Sequence, residues 1–334
     1  MTRTALSVHQ VSRPHGLPTA ENFGFVEEPL PVPVEGTALV ENIYLSVDPY
    51  MREEMDEGGW ELNAPLEGRS LGRVVESRTP GLAVGDVVFH RHAWRTHALV
   101  TEAEARVLPP LAGVPLSAHL SVLGGTGLSA YVGLTRIARL KPGEDVFISS
   151  AAGGVGSAAG QIARLLGARR VIGSTGSAAK VKHLTERLGF DAAFDYHDGP
   201  VGELLAAAAP GGIDVYLDNV GGDHLAGALS ALRRHGRVAW CGAVAQYSST
   251  EPPAAPRNLY DVVHKSLRLE GFLVREHLDA RDELYEFLVP HIRSGRVVPD
   301  ETVVRGFDQV VDAFLGMLRG ANTGKMIVQV SDTP

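Results

Sequence analysis

The hydrophobic pattern changes period twice along the chain. Up to about residue 122, short apolar runs recur between turn signals. Ala38-Leu-Val-Glu-Asn-Ile-Tyr-Leu, Leu71-Gly-Arg-Val-Val-Glu-Ser and Val84-Gly-Asp-Val-Val-Phe read as strands, with Pro80-Gly81 as a turn between two of them. Residues 1–122 are therefore predicted to form a small, mostly β domain, and the Pro-rich stretch from Glu28 an extended connector. Over residues 123–296 the apolar strand Asp145-Val-Phe-Ile-Ser-Ser is followed by Val155, Ala159, Ile162, Ala163 and Leu166 at helical spacing, predicting a helix from Gly154 to Leu166. Arg170-Val-Ile-Gly-Ser reads as the next strand and Ala179 to Leu188 as the next helix. Further strands are predicted at Ile213-Asp-Val-Tyr-Leu-Asp-Asn, Arg237-Val-Ala-Trp-Cys-Gly and Leu267-Arg-Leu-Glu-Gly-Phe-Leu. Strand alternating with helix predicts an α/β domain with a doubly wound parallel sheet. Residues 297–334 hold a helix from about Phe307 to Arg319 and a last strand, Lys325-Met-Ile-Val-Gln-Val. A lone strand after a complete α/β unit is expected to return to the first domain.

The candidate chemistry lies in Ser149-Ser-Ala-Ala-Gly-Gly-Val-Gly-Ser, between a predicted strand and a predicted helix. It fits a dinucleotide fingerprint with Ala151 at the first glycine position, then Gly153 and Gly156. Gly153 would let the backbone approach a pyrophosphate, and Gly156 would let helix and strand pack closely. Gly154 and Val155 open the helix, whose first N–H groups and partial positive charge suit an anion. The bland alternative is a tight turn without a ligand. An NAD site places an acidic residue about 20 residues further on. Here the second strand ends Ser174-Thr-Gly-Ser, and no acidic residue occurs between Asp145 and Glu186, whereas Arg164, Arg169, Arg170, Lys180 and Lys182 do. A carboxylate repels a 2′-phosphate and an ammonium attracts it, so NADPH is expected rather than NADH.

Composition narrows the classes. With 31 Lys and Arg against 39 Asp and Glu, the net charge of -8 disfavours a nucleic-acid binder. The single cysteine, Cys241, excludes a disulfide within the chain and a Cys-only zinc site. The start carries no apolar signal-peptide core, and no apolar run approaches the ~20 residues of a membrane span. A soluble cytoplasmic protein is expected. His90 and His92 alternate on a predicted strand with His97 nearby, but a closed metal site needs about four ligands; a solvated strand edge is the preferred reading, and no metal is expected.

Several motifs in order resemble the medium-chain dehydrogenase/reductase superfamily over nearly the whole chain. They are Ser46-Val-Asp-Pro-Tyr-Met-Arg, Gly127-Leu-Ser-Ala-Tyr, Ala151-Ala-Gly-Gly-Val-Gly, Gly189-Phe-Asp-Ala-Ala-Phe-Asp-Tyr, Asp218-Asn-Val-Gly-Gly, Gln246-Tyr247, Gly271-Phe-Leu-Val and Asn322-Thr-Gly-Lys. The branch most resembled is the zinc-independent one of prostaglandin reductases, plant double-bond reductases and curcumin reductase-like enzymes. The resemblance implies a GroES-like β domain plus a Rossmann NADP-binding domain, and a homodimer. It implies Lys180 and Tyr196 on the 2′-phosphate, Asn219 at the cofactor-facing end of a strand, and Asn322 on the nicotinamide amide. It also implies Tyr247 near the nicotinamide ribose and the substrate oxygen, and Tyr50 lining the substrate pocket. Asp218 is expected instead to satisfy loop N–H groups. Relatives often read Met-Pro-Gly where this chain has Gly125-Thr126-Gly127, a departure that bears on pocket shape.

The implied reaction is reduction of a carbon–carbon double bond conjugated to a carbonyl, with hydride going to the β-carbon and a proton to the α-carbon. A donor aimed at the carbonyl oxygen would stabilise the enolate, the candidates being the Tyr247 phenol and the nicotinamide ribose hydroxyl. An unperturbed phenol, with a pKa near ~10, keeps its proton at neutral pH. Zinc dehydrogenases of the superfamily use cysteine ligands, whereas Cys241 falls on a predicted Rossmann strand, which favours double-bond reduction over alcohol oxidation. The alternatives are a quinone reductase of the same superfamily and a nucleotide-binding protein without turnover.

Overall fold

The computed structural model describes residues 3–251 and 255–332. The chain divides into two units. One comprises residues 1–120, 302–322 and 326–334, the other residues 121–301 and 323–325.

The first unit is mostly β. Among the described residues, antiparallel pairing builds a seven-stranded sheet around the long strand Thr37–Ser46, which pairs with Ser70–Ser77, with His97–Thr101 and with the C-terminal strand Lys325–Gln329. Thr4–Gln10 and Phe23–Pro29 form a separate antiparallel pair that sequence patterning did not single out. The tail returns for a physical reason. Helix Val310–Leu318 is apolar on most of its surface, and Phe314 is fully buried, edge-on to Trp94 (5.6 Å between centroids) and to Phe23 (6.0 Å). Burying such rings stabilises by several kcal/mol, of order ~2–3 per large apolar side chain.

The second unit is a parallel sheet of six strands among the described residues: Asp145–Ile148, Arg170–Thr175, Ala192–Asp195, Ile213–Asp218, Leu232–Trp240 and Arg268–Gly271. Their spatial order is third, second, first, fourth, fifth, sixth, the doubly wound Rossmann order. The third strand is an addition to the sequence expectation. Four residues long, it was legible only as a motif, but it places Phe194 against Phe147, which stacks on Tyr216 at 5.0 Å. Helix Gly154–Leu165 ends one residue earlier than predicted, and the next runs Ala178–Glu186. Among the described residues no helix is long and apolar enough to cross a membrane.

Candidate functional site

The glycine-rich run forms the turn between the first parallel strand and helix Gly154–Leu165. Ala151 is buried and its amide donates to the Ser174 carbonyl at 2.8 Å, tying the turn to the end of the second strand. Gly153 is extended and precedes the helix as its N-cap. Gly156 is dictated by close packing: a Cβ there would sit 2.5 Å from the Ala151 Cα. Gly153 is pressed less by its own fold, since a Cβ would lie 3.2 Å from the Ser150 oxygens. Gly153, Gly154 and Val155 are half-buried, so the first helical turn, whose leading N–H groups have no intrahelical acceptor, stays partly open. Residues 323–325 cross this turn: the Gly324 amide donates to the Ala152 carbonyl at 2.7 Å. Thr126, at the sequence departure from the family, donates its hydroxyl to the Ser121 carbonyl (2.8 Å), and its methyl would lie 3.1 Å from a Cβ on Gly154. The departure therefore bears on the start of the helix.

At the end of the second strand the Ser174 hydroxyl is buried and has no hydrogen-bond partner among the described residues. Ser177 caps the following helix by accepting from the Lys180 amide at 3.3 Å. Lys180 is half-buried, and burial holds its ammonium pKa below the ordinary lysine value. Tyr196 is exposed beyond the third strand; its amide donates to the Thr175 carbonyl, and its hydroxyl would lie 3.2 Å from a Cβ on Gly176. Lys180 and Tyr196 thus flank the same strand end, Thr175-Gly176-Ser177. Strand register also sets an acid there, since Asp195 of the third strand pairs with Thr175. Its carboxylate is occupied by the His197 amide and by His197 Nδ1 at 2.8 Å.

The fourth strand ends in a buried network that sequence reasoning missed. Asp218 Oδ1 accepts from the Tyr216 hydroxyl (2.7 Å), the Val220 and Gly221 amides (2.9 and 2.8 Å) and, at 3.3 Å, the Ser149 hydroxyl. Burial raises the Asp218 carboxyl pKa, while those donors pull it down; Oδ2 is buried without a partner among the described residues. The expectation that Asp218 serves loop N–H groups agrees with these bonds. Asn219 donates its side-chain amide to the Ser149 carbonyl (2.8 Å) and its backbone amide to the Ser149 hydroxyl (2.9 Å). Ser149 and Asp218 were each visible as strand-end polar residues, but no local pattern links positions 69 apart.

After the fifth strand, the loop carrying Tyr247 is tied to the Asn219 turn: the Val244 amide donates to the Asn219 carbonyl at 3.1 Å. The Tyr247 hydroxyl accepts from the Ala243 amide at 3.3 Å. An accepting phenol oxygen still carries its hydrogen. Burial of the Cys241 thiol at the base of this loop pushes its pKa up to about 12. The structure therefore brings Ala151, Gly153, Gly154, Val155, Gly156, Ser174, Lys180, Tyr196, Asn219 and Tyr247 to the carboxyl ends of one parallel sheet, where doubly wound folds bind ligands.

Tyr50 and Asn322 belong to the first unit. Tyr50 precedes the short helix Met51–Glu54 and packs against the core, with the Arg69 guanidinium 5.4 Å from its ring centroid. Arg69 in turn bonds Asp48 at 3.2 Å, and burial raises the Tyr50 hydroxyl pKa. Asn322 is buried just ahead of the C-terminal strand.

The reading of His90 as a solvated edge residue is corrected. Strand Val87–His90 lies between Ser70–Ser77 and Arg106–Val107, so it is interior, and His90 is fully buried. Its ring lies within 3.1 Å of the Ser70 hydroxyl and its Nδ1 accepts from the His92 amide. Burial lowers its pKa to about 3. His92 faces Glu104 instead, at 3.4 Å. Among the described residues no three His, Cys, Asp or Glu side chains are grouped to hold a metal ion.

Comparison with known proteins matches residues 7–108 to a family described as the N-terminal domain of oxidoreductase, and residues 154–292 to one described as zinc-binding dehydrogenase. The chain is 36% identical over 332 residues to the NADPH-dependent curcumin reductase of Escherichia coli (strain K12), covering 96% of this chain and 95% of that protein. It is 37% identical over 300 residues to the NADP(+)-dependent 2-alkenal reductase of Nicotiana tabacum, covering 88% and 87%. The solved structure of CurA in complex with NADPH from Vibrio vulnificus matches with a TM-score of 0.92 at 31% identity, covering 98% of this chain and 100% of that one.

Proposed function

We propose, for a chain that belongs to the medium-chain dehydrogenase/reductase superfamily and is an NADP-dependent oxidoreductase within it, that the reaction is reduction of the carbon–carbon double bond of an α,β-unsaturated ketone or aldehyde. The residues present fit NADPH on structural grounds. The turn has a glycine that close packing demands, an open first helical turn, a buried serine hydroxyl without a partner among the described residues at the second strand end, and a lysine beside that end. Gly153, Gly154, Val155 and Gly156 would hold the pyrophosphate, Ser174 the adjoining ribose, and Lys180 and Tyr196 the 2′-phosphate. Asn219 and Asn322 would serve the nicotinamide end. When bound, NADPH supplies the hydride that the substrate β-carbon accepts.

The observation that carries the reading is the Tyr247 phenol, fixed by the Ala243 amide in a loop anchored to the Asn219 turn. As the double bond is reduced, negative charge gathers on the substrate carbonyl oxygen. A phenol O–H aimed there stabilises that charge more than it stabilises the neutral enone, which is the condition for faster turnover. Tyr50 is the proposed pocket-lining aromatic, its ring steadied by Arg69. The Ser149–Tyr216–Asp218 network would keep the ends of the first and fourth strands in fixed relation beneath the site.

The purified chain, given NADPH or NADH with a panel of enones, alkenals and quinones, tests the proposal by product identification. A saturated ketone or aldehyde formed from NADPH is expected. Hydroquinone formation with every activated alkene left intact would overturn it in favour of quinone reduction.

A further inference from the structure

We infer that Asp300 is a positioning residue for NADPH over NADH, acting through His183 on the helix that carries Lys180; the inference rests on the reading that Lys180 meets the 2′-phosphate. Helix Ala178–Glu186 has one buried residue, Leu184. His183 follows Lys180 by three positions, which sets both near one face of the helix. His183 Nε2 lies 3.0 and 3.1 Å from the two Asp300 oxygens, and both side chains are largely buried (17% and 13% exposed). This pair is a lateral tether on a nine-residue helix.

Asp300 is itself held through its backbone. Its carbonyl accepts from the Lys325 amide at 2.8 Å, and the neighbouring Gly324 amide donates to Ala152 at 2.7 Å, on the dinucleotide turn. Gly324 has a φ of 68°, and a Cβ there would collide with the Asp300 carbonyl. The backbone thus fixes Asp300 relative to the turn, while its carboxylate reaches only to His183 among the described residues. Removing the carboxylate should release the Lys180 helix and leave the pyrophosphate end intact. NADH has no 2′-phosphate and should not register the change.

Dissociation constants of NADPH and NADH, measured by fluorescence titration of the full chain, separate the possibilities. Asp300→Ala is expected to weaken NADPH about tenfold and NADH by less than about twofold, the scale of one buried hydrogen bond to a charged group. Asp300→Asn keeps an accepting oxygen and should recover most of the loss. His183→Ala carries the same selectivity prediction if Asp300→Ala fails to fold. The His183→Ala, Asp300→Ala double variant should lose no more than either single one. Equal weakening of both cofactors, or unchanged selectivity while Lys180→Ala is selective, would overturn the inference. Unchanged selectivity in Lys180→Ala itself would overturn the phosphate reading, and the inference with it.

Discussion

Lys180 carries its charge in a half-dry setting, and a phosphate dianion beside it would restore what burial takes away. Lys180→Ala should weaken NADPH by about 10- to 100-fold, the range of a charge-assisted hydrogen bond, with NADH almost unchanged. Titration of both cofactors checks this, and equal losses would remove the phosphate from this residue. Tyr247→Phe keeps the ring and deletes the donor. Turnover should fall about 100-fold or more with NADPH affinity kept, as for loss of one oxyanion donor. An unchanged rate would transfer the role to another group. The sequence offered both residues as candidates, Tyr247 through the Gln246-Tyr247 motif and Lys180 through its place early in the helix after the second strand. His90 was not, because burial of a strand residue depends on which strands flank it, here Ser70–Ser77 and Arg106–Val107.

Among the elements, the strand–turn–helix at Ala151–Gly156 is the most exacting. Gly156→Ala forces a methyl into the Ala151 backbone and should cost about 1–3 kcal/mol, seen as a lower melting temperature. Gly271→Ala is the control: no atom lies within 4 Å of a Cβ there, so the melting temperature should hardly move. The turn was readable because glycine spacing, strand and helix lie within some twenty consecutive residues. The third parallel strand, Ala192–Asp195, was hidden because four residues carry too little periodicity. Its place is set by pairing with Arg170–Thr175.

The whole molecule carries buried neutral histidines. Burial lowers His90 to about 3, and His119 and His224 to about 4. A depressed folded pKa means that the unfolded chain binds more protons below its own value near ~6.5. Stability is therefore complete above that value and declines as pH falls towards 4. At pH 5 each such group should have cost roughly 2 kcal/mol, so the melting temperature should drop steeply between pH 7 and 5. His90→Gln should flatten that slope; an unchanged slope would mean that other groups carry it.

The amino-acid sequence alone determined the two-part plan, the parallel α/β sheet and the glycine-rich strand–turn–helix, and it pointed to a phosphorylated cofactor, because each is written in contiguous periodicity, spacing or the lack of an acid. Only the tertiary structure decided that Asp218 is clamped by Ser149 and Tyr216, that Asp300 reaches His183, and that Asp195 stands across from Thr175 with its carboxylate hydrogen-bonded to His197. Those facts depend on which distant segments lie side by side. Burial and hydrogen bonding between such segments follow from packing, which no local stretch of residues contains.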